Sequence, residues 1–147
     1  MAFFTSEYEC KLDAKGRLVL PSKIKGNLPE VSGNQLVIMK GFDPSLVVYT
    51  MQEYKKIHSK FAALSDFDAT QRKLKRQFFK NVSEVELDGA GRFLIPKGWI
   101  EHAKLEKEVI VIGAGNTVEI WNPDLYIEYL IEDSEEYSEM AKKFLDE

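Results

Sequence analysis

The chain has 147 residues, 44% of them hydrophobic, which is enough to fill one ordinary domain or two small ones that share a core. No stretch approaches the roughly 20 apolar residues that cross a bilayer, and the N-terminal residues lack the basic and apolar segments of a secretory signal. The single cysteine, Cys10, cannot form an internal disulfide, which agrees with a reducing compartment. We therefore expect a globular cytoplasmic protein without a membrane partner.

The net charge of −4 hides an uneven distribution. The segment from Asp124 to Glu147 holds nine acidic and two basic residues, which leaves eighteen basic and fifteen acidic residues before it. The body of the chain therefore carries about +3 and the tail about −7. The mean charge thus excludes neither DNA nor RNA as a partner.

The first elements predict a β-hairpin. Apolar and charged side chains alternate from Tyr8 to Leu12, as in a half-buried strand. Asp13 suits the first position of a type I turn, and Gly16 suits the fourth with a positive φ, which closes a hairpin with a bulge. The apolar run from Leu18 to Leu20 predicts a returning strand that is covered on both faces, and Pro21 ends its pairing because proline has no N–H to donate.

A short helix near 22–25, strands at 35–39 and 46–49, and two longer helices follow. Thr50 with Glu53 predicts a capping box at the start of the first longer helix. Its apolar stripe consists of Tyr54, Ile57, Phe61 and Leu64. Asp68 is expected to cap the second longer helix, which turns Leu74, Phe78 and Phe79 inward and Arg72, Lys73, Lys75, Arg76 and Lys80 outward. These basic residues are open to three interpretations: a solvated face, an accessory phosphate contact, or pairing with an acidic tail of a neighbouring subunit.

The second half of the chain then repeats the first. The residues Leu12-Asp13-Ala14-Lys15-Gly16-Arg17-Leu18-Val19-Leu20-Pro21 recur as Leu87-Asp88-Gly89-Ala90-Gly91-Arg92-Phe93-Leu94-Ile95-Pro96. We call residues 13–17 bend 1 and residues 88–92 bend 2. Copy two also predicts a short helix near 97–104, strands at 109–112 and 117–121 joined by a turn at 113–116, and a helix that starts at Asn122-Pro123.

The tail resumes helical spacing after Leu130. Its apolar positions are Tyr137, Met140, Ala141 and Phe144, so its acidic residues would face solvent. Two interpretations stay open: the tail keeps the protein soluble, or it lies across another protomer.

Two copies of about four strands are each too small for a core of their own, so we expect them to interleave into one barrel-like domain with approximate two-fold symmetry. The predicted fold class is mainly β with peripheral helices, with bend 1 and bend 2 near each other. The expected organisation is a first repeat at 5–54, a helical connector at 55–81, a second repeat at 82–130 and an acidic C-terminal helix or tail at 131–147.

The sequence argues against an enzyme. His58 and His102 have no Ser, Cys or carboxylate partner at a recognisable spacing, and one cysteine with two distant histidines does not form a metal-ligand set. The segment from Val111 to Asn116 resembles the start of a dinucleotide-binding loop, but the third glycine is replaced by Val118, and a strand follows instead of a helix. We expect a hairpin turn there, and no cofactor, metal or small-molecule substrate.

The two bends are the candidate functional surface, and they have two interpretations. Asp13 and Asp88 can simply cap their turns while Arg17 and Arg92 pair with them. Alternatively, an arginine beside a glycine bend presents a planar fork of donors where a phosphate or groove edge can approach. Lys11, Lys15, Lys23 and Lys25 are expected near bend 1, whereas Ala90 leaves bend 2 less charged.

The pattern closely resembles the MraZ family. It consists of Tyr8-Glu9-x-x-Leu12-Asp13-x-x-Gly16-Arg17-Leu18-x-x-Pro21 and then Glu84-Val85-x-Leu87-Asp88-x-x-Gly91-Arg92-x-Leu94-Ile95-Pro96. The likeness covers nearly all of residues 5–130, while about 132–147 are expected to lie outside it. It implies the swapped-hairpin barrel of AbrB-like transcription factors. It also implies a nucleoid-associated regulator of the bacterial division and cell-wall gene cluster, which binds repeated elements in its own operon promoter as a ring-shaped homo-oligomer and usually represses it.

The resemblance also implies the DNA-contacting residues. The motif positions are Asp13, Gly16 and Arg17 in bend 1 and Asp88, Gly91 and Arg92 in bend 2, with Lys11 and Lys15 as flanking basic residues. Because Ala90 occupies the position of Lys15, bend 1 ranks above bend 2 for DNA contact. The alternative function is a non-catalytic oligomeric scaffold or adaptor, with the bends as subunit interfaces.

Overall fold

The structure is a computed structural model that describes residues 3–29 and 33–145. Its strands are β1 (Glu7–Lys11), β2 (Arg17–Val19), β3 (Gln35–Lys40), β4 (Leu46–Thr50), β5 (Val82–Glu86), β6 (Arg92–Leu94), β7 (Glu108–Gly113) and β8 (Val118–Trp121). Its helices are α1 (Ser22–Gly26), α2 (Met51–Ala62), α3 (Ala69–Lys80), α4 (Lys97–His102), α5 (Pro123–Glu128) and α6 (Ser134–Leu145). Every helix and strand predicted from the sequence is present, and the fold is mainly β with peripheral helices. The last two acidic residues of the tail, Asp146 and Glu147, lie outside the described residues.

Six strands form one antiparallel sheet in the order β1-β7-β8-β4-β3-β5. The corresponding strands of the two copies are β1 and β5, β3 and β7, and β4 and β8. Exchanging each of these pairs gives the same strand order, read from the other edge of the sheet. The first strand of each copy pairs with a strand of the other copy: β1 with β7, and β5 with β3. The sheet is therefore swapped and has the approximate two-fold symmetry that the repeat predicted.

The remaining strands, β2 and β6, pair with each other as a separate two-stranded ribbon. Arg17 lies opposite Leu94, and Val19 lies opposite Arg92. Because the strands are antiparallel, bend 1 and bend 2 lie at opposite ends of this ribbon rather than side by side. A backbone hydrogen bond of 2.9 Å from Ile95 N–H to the carbonyl of bend 1, and one of 3.1 Å from Leu20 N–H to the carbonyl of bend 2, tie each bend to the other copy.

The ribbon has one buried face and one exposed face. Leu18 and Phe93 point inward and are almost fully buried in the core that the sheet and the ribbon share. Val19 and Leu94 point outward and are 52% and 55% exposed. The expectation that the run from Leu18 to Leu20 is covered on both faces is therefore wrong, because the core covers one face of the ribbon and Val19 points to the other face.

The predicted helix starts are present. The Thr50 hydroxyl accepts a hydrogen bond of 3.2 Å from Glu53 N–H, although the Glu53 carboxylate bonds Lys56 and Asn116 instead of completing a capping box. The Asp68 and Asn122 side chains cap α3 and α5 in the same way.

α2 and α3 pack through stacked rings of Phe61 and Phe78, whose centroids are 3.9 Å apart. Leu74 does not follow the prediction that it points inward, since it is 50% exposed. Among the described residues, no helix has the length and apolar character needed to cross a bilayer.

Candidate nucleic-acid interface

Each bend is held by a single aspartate. In bend 1, Asp13 Oδ1 accepts hydrogen bonds of 2.9 Å from the backbone N–H groups of Lys15 and Arg17, and Oδ2 accepts one of 2.7 Å from Arg17 Nε. Bend 2 has the same three bonds, from Ala90 N–H, Arg92 N–H and Arg92 Nε to Asp88, at 2.9, 3.0 and 2.9 Å. The aspartate therefore closes the turn and orients the arginine at once.

The contact to Nε leaves the outer part of each guanidinium available. Arg17 and Arg92 use Nε to reach the carboxylate, and their terminal nitrogens donate to no other residue in the described part of the chain. Both side chains remain about one-third exposed. A guanidinium fixed at Nε keeps a fork of N–H donors that can bind a phosphate or a base edge through two parallel hydrogen bonds.

The aspartates remain ionised near neutral pH. The backbone N–H of Arg17, followed by its side chain and the Lys15 N–H, lowers the pKa of Asp13 to about 2. The backbone N–H of Arg92 has the same effect on the pKa of Asp88, which is also lowered. Each arginine is thus held by a charged partner over the whole physiological pH range.

Both bends require glycine. Gly16 has a φ of +85° and Gly91 a φ of +76°, in the left-handed region that residues with a side chain rarely adopt. A Cβ at position 16 would lie 3.0 Å from Ile100 Cδ1, and a Cβ at position 91 would lie 3.1 Å from Lys25 Nζ. The short helix of each copy therefore packs against the bend of the other copy.

This crossing changes the expected charge distribution. Lys25 was expected near bend 1, but its ammonium lies against Gly91 in bend 2. The corresponding position in copy two is Ile100, which packs against bend 1. The sequence of one copy could not predict these contacts. In the swapped fold, α1 of copy one packs against bend 2, and α4 of copy two packs against bend 1.

The exposed face of the ribbon joins the two bends into one surface, which we call the ribbon face: Arg17, Val19, Arg92 and Leu94. Residues that are directly opposite or two apart on paired strands point to the same side. With a rise of about 3.4 Å per residue, the two arginines are offset by about 7 Å along the ribbon. Sequence reasoning missed Val19 and Leu94, although the alternation of Arg17, Leu18 and Val19 contains the signal.

Comparison with known proteins places this architecture in a family. The family model of MraZ, described as "MraZ protein, putative antitoxin-like", matches residues 3–77 and residues 78–146. The chain belongs to the MraZ family. The second match includes most of the acidic tail, so the expectation that residues from about 132 onward lie outside the likeness is wrong.

Relatives of this MraZ-family chain are similar over almost their whole length. The protein named "Transcriptional regulator MraZ" from Cytophaga hutchinsonii is 50% identical over 99% of this chain and 96% of its own length. Proteins of the same name from Heliobacterium modesticaldum and Moorella thermoacetica are each 39% identical over 97% of both chains.

Around the MraZ motif, the flanking basic residues lie in different places. Lys15 is exposed on bend 1 itself. Lys11 lies on β1, where its ammonium is 3.9 Å from the Glu108 carboxylate and both side chains are exposed. Lys23 lines a depression with Phe4 and Tyr8, away from the residues that surround Gly16. Lys15 is thus the flanking lysine that belongs to bend 1.

The histidines have structural neighbours. His58 Nδ1 lies 3.2 Å from the Tyr54 hydroxyl, and His102 Nε2 lies 3.2 Å from the Asp43 carbonyl oxygen. The segment 113–116 forms the predicted turn, with a hydrogen bond of 2.9 Å from Ala114 N–H to the Thr117 carbonyl. The described residues contain no group of three or more histidine, cysteine, aspartate or glutamate side chains that could hold a metal ion.

Proposed function

We propose that the chain is a non-enzymatic, sequence-specific transcriptional regulator that binds double-stranded DNA through the ribbon face and the two bends. The observation that carries this proposal is the outward fork of Arg17 and Arg92 on one exposed face of a two-stranded ribbon. The names of the three relatives, all transcriptional regulators, support the same role.

The ribbon has a suitable size for the major groove. Paired strands lie about 4.8 Å apart, and the major groove of B-DNA, about 12 Å wide, admits a two-stranded ribbon. The offset of about 7 Å between the arginines matches about two base steps of 3.4 Å along one DNA strand. Both arginines can therefore face base pairs two steps apart at the same time.

Each residue of bend 1 has a distinct proposed role. Arg17 binds a guanine edge or a phosphate through its terminal nitrogens, while Asp13 keeps the side chain extended by holding Nε. Gly16 keeps the left-handed turn, and Lys15 binds a flanking phosphate together with Lys11 on β1. A good bidentate contact between arginine and guanine contributes about 1–3 kcal/mol of discrimination.

Bend 2 supplies the second half of the surface. Arg92, Asp88 and Gly91 repeat the arrangement of bend 1, and Lys25 adds one positive charge. Bend 1 remains the main contact, since Lys15 projects from the turn itself. Val19 and Leu94, which lie directly opposite Arg92 and Arg17, contact thymine methyl groups.

Several subunits would act together. One arginine contact per subunit is weak, but a ring-shaped homo-oligomer on repeated promoter elements gains a high effective concentration for each further contact. We propose that the chain binds such elements upstream of its own operon, in the division and cell-wall gene cluster, and represses it from the nucleoid in the cytoplasm.

A gel-shift titration tests the proposal. It uses the protein's own upstream region with varied repeat number, a random duplex of equal length and two salt concentrations. Arg17→Ala should weaken specific binding about 5- to 150-fold, the equivalent of 1–3 kcal/mol, with little change in thermal stability because an exposed ion pair contributes little. Arg92→Ala is the matched comparison, since it removes the same ion pair from bend 2, and it should weaken binding less than Arg17→Ala does.

Equal binding of promoter and random duplex at low salt would overturn the proposal. A folded Arg17→Ala variant that binds normally would overturn the role of bend 1. The scaffold alternative makes a different prediction, because Arg17→Ala should then break the oligomer, which a mass measurement detects.

A further inference from the structure

The tail concentrates exposed apolar side chains. Among the described residues, fourteen large hydrophobic side chains are exposed, and eight of them lie between Ile127 and Leu145. They are Ile127, Tyr129, Leu130, Ile131, Tyr137, Met140, Phe144 and Leu145. A concentration of exposed apolar side chains of this kind is typical of a segment that binds another protein.

Helix α6 has an apolar stripe that is exposed to solvent. Tyr137, Met140 and Phe144 recur at helical spacing, and every residue of α6 except Ala141 is exposed. A helix of twelve residues is only marginally stable in water without a packing partner. The stripe is therefore expected to be covered when the protein is assembled.

A groove on the other half of the chain presents a matching apolar surface. It has a volume of about 390 Å³ and lies between α3 and the turn that follows β3. Its apolar lining consists of Met39, Phe42, Phe61, Leu74 and Phe78. Phe42 is 93% exposed at its edge, and Leu74 is half exposed. A groove of this size can take projecting side chains such as a phenyl ring.

The charges of the two surfaces are opposite. Helix α3 carries five basic residues and no acidic residue, and Lys73, Gln77 and Lys80 follow one side of it at helical spacing. Gln77 and Lys80 line the groove. The first half of the tail helix and the residues before it are acidic, with Asp133 and Glu136 bordering the apolar stripe. The groove and the tail are thus complementary in both apolar character and charge.

The helices that precede α3 and α6 differ in length, which explains why α3 packs against its preceding helix and α6 does not. Helix α3 follows α2, which has twelve residues and holds it through the stacked Phe61 and Phe78 rings. The helix of copy two that corresponds to α2 is α5, which has only six residues. Every residue between α5 and α6 is exposed. In one chain, the groove and the stripe of α6 are therefore open at the same time.

We propose that α6 of one copy docks into the groove between α3 and the β3–β4 turn of a second copy, with its acidic end near Lys73 and Lys80. The surfaces differ, so each copy uses its groove for one neighbour and its tail for another. Such head-to-tail contacts close into rings when the rotation permits. This inference rests on the homo-oligomer in the proposed function but not on DNA binding.

Native mass measurements without DNA test the docking, using the full chain. The wild type should form a closed oligomer. Leu74→Glu, which changes the groove, and Phe144→Glu, which changes the tail, should each give single chains, because each variant lacks one half of every contact. Both sites are exposed, so both variants should keep the circular dichroism spectrum of the wild type. Phe3→Glu is the matched control at an exposed phenylalanine outside the groove and the tail, and it should leave the mass unchanged.

Mixing the two variants gives the decisive result. The intact tail of the Leu74→Glu chain can bind the intact groove of the Phe144→Glu chain, so an equimolar mixture should give pairs of twice the single-chain mass, and nothing larger. A single-chain wild type would overturn the proposal, since it would indicate docking within one chain or none. Variants that keep the wild-type mass, or a mixture that contains only single chains, would also overturn it. If DNA binding fails while these masses are as expected, only the proposed function is wrong.

Discussion

Bend 1 and bend 2 have the same internal hydrogen bonds but different neighbours. In each, one aspartate accepts two backbone N–H groups and the arginine Nε, at distances that agree within 0.2 Å. Around them the copies differ: bend 1 carries Lys15 and packs against Ile100, whereas bend 2 carries Ala90 and packs against Lys25. Local sequence sets the geometry of a bend, and the exchange between copies sets its surroundings.

The sequence suggested that bend 1 is much more positively charged than bend 2. This difference in charge is smaller in the structure, because Lys25 lies at bend 2. Both bends have a lysine close to them, but Lys15 belongs to the turn of bend 1, whereas Lys25 reaches bend 2 from α1 of the other copy. Variants made in matched pairs can show how far the two bends differ in stability, DNA contact and response to pH.

The glycines should give the largest difference. Gly16→Ala and Gly91→Ala both force a side chain into the left-handed region, at a cost of about 1–2 kcal/mol, which lowers the Tm by about 2–8 °C. Gly16→Ala should cost more, because Ile100 packs against the core, whereas the exposed Lys25 side chain can move aside. Thermal unfolding followed by circular dichroism measures both. An equal loss in the two variants would show that only backbone strain matters.

The lysines should give a smaller difference, which appears in the salt dependence of DNA binding. Lys15→Ala should reduce the slope of log K against log salt by about 1, the expected effect of losing one phosphate contact. Lys25→Ala should reduce it by less, since Lys25 lies against Gly91 rather than on the turn. Lys55→Ala, at an exposed position of α2, is the control and should leave the slope unchanged. Equal slopes for Lys15→Ala and Lys25→Ala would contradict the prediction that bend 1 contributes more to DNA contact than bend 2.

The aspartates should give the smallest difference. The pKa of Asp13 falls from 3.8 to about 2 in the folded chain, so its contribution to stability is complete above about pH 4 and is lost as the pH falls towards about 2. Asp88 behaves in the same direction. The Tm should therefore fall less steeply between pH 4 and pH 2 in Asp13→Asn than in the wild type, and Asp88→Asn should show a weaker form of the same change. Scanning calorimetry at several pH values measures the slopes. A wild-type slope in Asp13→Asn would show that this carboxylate does not stabilise the fold.

The features that the sequence predicted correctly depend on contacts between near neighbours. Asp13 and Gly16 close a turn with residues at most four positions away, and Thr50 and Asp68 cap helices through N–H groups three positions away. The register of the repeat added the approximate symmetry, because two copies with the same pattern tend to form the same elements. The expectation for Leu18 to Leu20 failed because an apolar run does not reveal whether other elements pack on both faces of the strand.

The sequence by itself therefore determined the two bends, the helix starts, the order of elements and the family. Only the tertiary structure decided that Val19 and Leu94 share the ribbon face with both arginines, and that Lys25 lies at bend 2. These contacts join residues about 65 to 75 positions apart across the exchange of hairpins. No local pattern specifies such pairing, because it depends on how two incomplete halves cover one another's apolar surfaces.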